Sequence, residues 1–185
     1  MTVLGFEAPS ESDLREMTAQ LGRPVRGVLA IAARLASGTP AVALTAPRLD
    51  DGTPFPTLYY LTEPTLTAAV SRLEADGYMA VLQQRLEDYA ELQAAYTSAH
   101  LRYLAERDSI AEVPEVAGFS AGGMPERVKC LHALVGHSLA SGPGVNPIGD
   151  AAILALPPAV QGILDASVQR WIQAQQASPE EKTAE

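Results

Sequence analysis

The hydrophobic pattern of this chain changes period at Pro64, and that change restricts the fold more than any other feature. Before it stand three short apolar runs, "RGVLAIAARL", "PAVALTAPRL" and "TLYYLT", separated by the turn formers "ASGTP" and "DDGTPFPT". Runs of this length between Gly/Pro clusters read as strands, and the short first turn makes an antiparallel hairpin of the first two. After Pro64, apolar residues recur at three or four, the helical period. The expectation is an α+β fold. A small antiparallel sheet of about three strands spans residues 26–62, and a majority of helices packs on one face of it.

Helix punctuation is conventional. "SESDLREMTAQLGRP" is a short helix capped by Ser10 or Ser12 and stopped at Gly22 and Pro24. "EPTLTAAVSRLEADG" has Pro64 in its first turn and Gly77 past its end. A long helical pattern follows, broken near Asp88, with Leu82, Leu86, Tyr89, Leu92, Tyr96, Tyr103 and Leu104 on its apolar stripe and a solvated charged face. "MPERVKCLHALVGHSLASG" reads as one helix over 125–141. In the C-terminal segment 157–176, Val160, Ile163, Leu164, Val168, Trp171 and Ile172 form an apolar stripe. A stripe this size should not stay in water, so it docks on the domain or makes a homodimer. Residues 1–176 are then a single domain, and 177–185 a polar, disordered tail.

Composition narrows the function classes. With 22 acidic and 13 basic side chains, the net charge of −9 disfavours nucleic acid and anionic membrane surfaces as partners. No apolar run reaches a membrane span, and no signal-peptide pattern opens the chain, so a cytoplasmic location is expected. A single cysteine, Cys130, excludes an internal disulfide and a multi-cysteine zinc motif.

The residues with chemistry fall into three stretches. "KCLHALVGH" holds Cys130, His132 and His137. On a regular helix, at about 100° per residue, Cys130 and His132 lie about 200° apart and point to opposite sides. Cys130 and His137 share a stripe but stand about 10 Å apart along the axis. A metal site from this helix alone is therefore disfavoured. A mid-helix Cys130 also lacks an activating helix N-terminus and should react slowly. "RLDDGTPFPTLYY" is either a rigid turn with Phe55 plugging the core, or a loop presenting Arg48, Asp51 and Thr53 to a ligand. "FSAGGMPERVK" is either a flexible hinge into a helix, or a start where Gly122 and Gly123, near Arg127 and Lys129, let backbone amides cradle an anion. No nucleophile–base–acid constellation is visible, and no catalytic residue is assigned. The leading reading is a non-catalytic binding or regulatory module with an unknown protein partner. The alternative is an enzyme or sensor for a small anionic ligand, using Arg48, Arg127, Lys129 and His132.

The motifs "APRLDDGTPFPTLYYLTEP", "AAVSRLEADG", "AAYTSAHLRYLAERD" and "GGMPERVKCLHALVGHSLASGPGVNPIGD" occur in this order. Together they resemble the actinobacterial "domain of unknown function 501" family over residues 12–155. The family has no established activity. The resemblance implies a soluble bacterial protein, with genes for a septum-formation-like protein and an exopolyphosphatase-like enzyme nearby, hence a role around cell division or phosphate metabolism. It also implies a soft-ligand set, because family members often carry cysteine where this chain has Leu35, and cysteine or histidine where it has Glu63. Such a set would suit zinc. Here the ligands would reduce to Glu63, Cys130, His132 and His137, a degenerate site. The expectation is therefore no cofactor, with zinc as the alternative.

Overall fold

The computed structural model describes residues 2–177. Most of the expected disordered tail, 178–185, lies outside the described residues. The fold is α+β with 52% helix and a five-stranded antiparallel sheet in sequential order. Its strands are β1 (Thr2–Val3), β2 (Phe6–Glu7), β3 (Val28–Arg34), β4 (Pro40–Thr45) and β5 (Tyr59–Leu61). β3 to β5 correspond to the three expected strands. β1 and β2, two residues each, escape a pattern search because such short runs have no readable alternation. Leu4 and Gly5, both at positive φ, turn one into the other.

The helices are α1 (Glu11–Leu21), α2 (Pro64–Ala75), α3 (Tyr78–Asp88), α4 (Ala90–Ile110), α5 (Leu131–Ser141), α6 (Pro147–Leu154), α7 (Pro158–Gln161) and α8 (Ala166–Gln176). The break near Asp88 is real, with Tyr89 extended between α3 and α4. Tyr89 is accordingly exposed and leaves the expected apolar stripe.

Helices cover both faces of the sheet, not one. Ala30, Val42, Leu44, Tyr59 and Leu61 face the main core with α2 to α6 and α8. Ile31, Ala43 and Tyr60, aligned across β3, β4 and β5, face Met17 and Leu14 of α1. This explains why "PAVALT" shows no alternation: a strand buried on both faces needs apolar or small residues at every position. In α7 and α8 and the turn between them, Leu164, Val168 and Ile172 are buried in the main core, with Val160, Ile163 and Trp171 half-buried against it.

α1 is tied down electrostatically. Ser10 and Asp13 form a capping box at its start. Asp13 also accepts from Arg34 of β3 through both oxygens, at 2.7 and 3.0 Å. The Arg34 guanidinium holds the Asp13 carboxyl well below the usual carboxylate range. A depressed pKa stabilises the fold above the unfolded value of about 3.9, and that contribution is lost as pH falls. Arg34→Ala should cost about 2 kcal/mol at pH 7, below the full cost of breaking a buried pair because Arg34 is partly solvated. Urea midpoints should show the gap narrowing below about pH 4; a gap independent of pH would mean the pair contributes only packing.

One expected element is shorter than its pattern. α5 begins at Leu131, not Pro125. Residues 122–129 form a tight loop in which the Lys129 and Arg127 N–H groups donate to the Gly122 and Gly123 carbonyls. Side chains of α3 and α4 add further bonds to it. Val128 N–H donates to Gln83 Oε1, while Gln93 and Tyr96 donate to the Pro125 and Arg127 carbonyls. Tertiary hydrogen bonds thus replace the helical ones that local spacing predicts.

Candidate functional site

The late start of α5 decides the geometry around Cys130. Cys130 is the N-cap, with extended backbone (φ −153°, ψ 107°). The angular argument for a regular helix does not apply to it. Cys130 and His132 turn to the same side, where Glu74 from the last turn of α2 meets them. The Cys130 sulfur, a His132 ring nitrogen and a Glu74 carboxylate oxygen all lie within 4.8 Å of one another. Glu74 Oε1 accepts from the Leu131 N–H at 2.6 Å and stands 3.2 Å from His132 Nδ1. On the other ring edge, His132 Nε2 lies 3.2 Å from the Thr67 carbonyl and 3.1 Å from Ser71 Oγ.

This environment favours charge separation. The Thr67 carbonyl can only accept, so Nε2 carries hydrogen. Glu74 and a thiolate reward a proton on the ring as well. His132 is pushed up to about 9, first by Cys130 and then by Glu74, against the opposing effect of burial. Cys130 is shifted down from the ordinary thiol value, chiefly by the His132 hydrogen bond and also by the Ala133 N–H; burial and Glu74 oppose the shift. An N-cap position supplies the helix N-terminus that a mid-helix thiol would lack. The expectation of an unactivated Cys130 therefore loses its structural premise.

Cys130 and His132 line a cleft of about 610 Å³ with Thr57, Tyr60, Thr62 and Thr67. The cleft runs along the outer edge of β5 to the starts of α2 and α5. Further along α5, a Cβ on Gly136 would stand 2.8 Å from the Tyr59 carbonyl oxygen, so α5 approaches β5 at backbone distance.

The other residues singled out in the sequence lie elsewhere. Glu63 is the N-cap of α2, accepting from the Leu66 N–H at 2.7 Å, and it takes no part in the cluster. Glu74 takes the place beside Cys130 that the soft-ligand set had given to Glu63. His137 is fully buried, stacked on Tyr59 at 5.6 Å, with Asn146 Nδ2 donating to its Nδ1. Burial pushes it down to about 4, so it is neutral. Leu35 packs in the main core.

Arg48 donates to the Gly52 carbonyl and to Glu115, while Asp51 pairs with Arg26 and accepts from the Thr53 N–H. The polar side chains of that loop are thus engaged within it and by Arg26 and Glu115. Phe55 is half-buried against Tyr60 and is not a core plug. Gly122 and Gly123 have φ of 75° and 92°; a Cβ on either would strike Leu134 or the Arg127 carbonyl. They make the tight loop possible, and no helix starts directly after them. Arg127 and Lys129 line a separate groove that also holds Glu87 and Glu126. The cations expected around one anion thus occupy three separate places. One charged residue of α4 departs from its solvated face. Arg107 is fully buried and anchors the segment after α4 by donating to the Phe119 carbonyl and to Asp108.

Two signals were hidden in the sequence. Glu74 sits in an ordinary helix end with no motif around it. Cys130 acquires its N-cap role only because the loop before it bonds to α3 and α4.

Fold and site together define an α+β domain, its sheet sandwiched by helices, with a thiol–imidazole–carboxylate cluster in the wall of a cleft. The family described as "Protein of unknown function (DUF501)" matches residues 31–153, well over half of the chain, and the chain belongs to it. No curated protein and no solved structure matches the chain. Among the described residues, no helix is long and apolar enough to cross a membrane.

Proposed function

We propose that this protein is a binding or regulatory module whose working site is the cleft between β5, α2 and α5. Cys130 is its reactive group, a thiolate paired with the His132 imidazolium, and it captures a small electrophilic ligand. The observation that supports this reading is the placement of Cys130: N-cap of α5, within reach of His132 and Glu74, and on the wall of a cleft large enough for a small molecule. The dispersal of Arg48, Arg127, Lys129 and His132 speaks against an anion-specific pocket built from them. Covalent capture needs no turnover, which agrees with a regulatory role. The family's genomic surroundings would put such a module near cell division or phosphate metabolism.

Alkylation by iodoacetamide tests the reading, since the thiolate displaces iodide and forms a C–S bond. An ordinary thiol, with a pKa near 8.5, reacts about tenfold faster per pH unit up to that value. Cys130 should instead level off at a lower pH than such a thiol. At pH 6 it should exceed an unstructured thiol about tenfold, even though a low-pKa thiolate is intrinsically less nucleophilic. His132→Ala should restore the ordinary rise. The ordinary rise in the native protein would sink the proposal.

A second reading is favoured by one observation, the convergence of three side chains of ligating type. With Nε2–H donated to the Thr67 carbonyl, Nδ1 of His132 could bind a zinc ion beside Cys130 and Glu74, the usual arrangement of a metal-bound histidine. Elemental analysis of protein purified without metal-affinity resin separates the two. Near one equivalent of zinc, lost in Cys130→Ser, selects the metal; its absence together with an alkylation rate that levels off early selects the thiolate.

A further inference from the structure

On the face of the sheet that carries α1 there is a second cavity, of about 280 Å³. It lies between the segment after α1 and the loop that follows β4. Val28 and Ala43 form its floor, and Val25, Leu49, Phe55 and Tyr60 its walls. The walls are firmly tied. The Ala46 N–H donates to the Gly27 carbonyl at 2.7 Å, and Gly27 (φ 62°) runs so close to Leu49 that a Cβ there would stand 2.6 Å from its Cδ2. Phe55 and Tyr60 lie 6.1 Å apart with their rings tilted by 34°. Such a surface favours a flat apolar group.

The lining also carries Arg23 and Arg26, both exposed. Arg26 pairs with Asp51 across the two loops. Arg23 has no ion-pair partner among the described residues. Arg23 thus puts an uncompensated guanidinium beside an apolar hole. Arg72, Arg85, Arg127 and Arg170 likewise lack an ion-pair partner among the described residues, but none of them lines this cavity.

We propose that this cavity is a binding site for a small amphipathic monoanion, a flat apolar or aromatic body bearing one carboxylate. The body rests against Phe55, Tyr60 and Leu49, and the carboxylate is held by Arg23, with Arg26 beside it. The volume lies just below the usual range of ligand pockets, roughly 300–1,000 Å³, and suits a compact body. The apolar walls supply affinity through buried area, and the guanidinium supplies orientation and selectivity for the anion. Leu21, Tyr60 and Thr62 are shared with the Cys130 cleft, so the two cavities are neighbours around the β5 edge. The site does not rest on Cys130 chemistry.

Isothermal calorimetry with 1-naphthoate, and with 1-naphthylmethanol as its uncharged counterpart, tests the site on the full chain. Saturable one-to-one binding of 1-naphthoate is expected, with the alcohol about tenfold weaker or more. Arg23→Ala should bring the acid down to the level of the alcohol. Val25→Trp, which fills the mouth, should abolish both, and Cys130→Ser should change neither. Thermal melts confirm that each variant folds. If Val25→Trp does not fold, the acid–alcohol pair on native and Arg23→Ala protein decides alone. No binding of 1-naphthoate, equal binding of acid and alcohol, or full acid binding after Arg23→Ala each overturns the proposal.

Discussion

Gly149→Ala should be among the most damaging single-methyl changes in this protein. α6 crosses α5 at Gly149, where an added Cβ would stand 2.2 Å from the Leu134 carbonyl oxygen and 2.4 Å from Ser138 Oγ. The first neighbour is helix backbone and cannot swing aside. The two helices would have to separate, opening gaps around Ile148, Ala152 and Leu134, all fully buried. Overpacking usually costs about 1–3 kcal/mol and sometimes more. Against this stands the gain of about 1 kcal/mol from replacing glycine by alanine in a helix. With a backbone clash this close, a net loss of about 3 kcal/mol is expected. For a chain of this size that lowers Tm by about 6–12 °C.

Two other glycines calibrate the result. Gly136→Ala meets the Tyr59 carbonyl at 2.8 Å and should cost less. Gly162→Ala meets nothing closer than 3.4 Å, at helical φ of −67°, and should stay within about 0.5 kcal/mol of the parent. Thermal melts of the three variants should rank in that order. Equal melting of the Gly149 and Gly162 variants would show that α5 and α6 are not packed at this distance.

Ending the chain after Leu156 should have the largest effect of all. That cut removes Leu164, Val168 and Ile172, each buried to 5% exposure or less, together with the half-buried Val160, Ile163 and Trp171. Fully burying one aliphatic side chain contributes about 1.5–3 kcal/mol. Three of them approach the whole stability of a typical domain, about 5–15 kcal/mol, before the entropy of ordering α7 and α8 is deducted. The cut also leaves the Ala36 N–H without its acceptor, the Ile163 carbonyl. A fall in Tm of about 10 °C or more, or loss of a cooperative transition, is expected. Ile172→Ala, at about 2–4 kcal/mol, tests the same contact without a truncation. A shortened chain that melts with the parent would show that the C-terminal stripe does not stabilise the domain.

Much of the architecture was legible because its signals are local. The shift of period at Pro64 separated strands from helices. Ser10, Gly22, Pro64 and Gly77 marked helix ends through their own backbone preferences, and each occupies the predicted place. The resemblance to the family rested on long motifs and holds. At the candidate site the sequence reading failed for one physical reason. Residues 125–130 have a helix-compatible pattern, yet Gln83, Gln93 and Tyr96, from distant positions, satisfy their backbone in a loop. Cys130 therefore ends up capping α5 and not inside it.

The sequence by itself determined the α+β class, the order of the main elements and the family, since these depend on residue spacing and local conformational preference. Tertiary structure alone decided the site. It brought Glu74 to Cys130 and His132 and sealed His137 against Tyr59. It also laid α1 over the second face of the sheet. Contacts between residues about sixty positions apart leave no periodic trace in a single chain, because they depend on how finished elements pack and not on how each one forms.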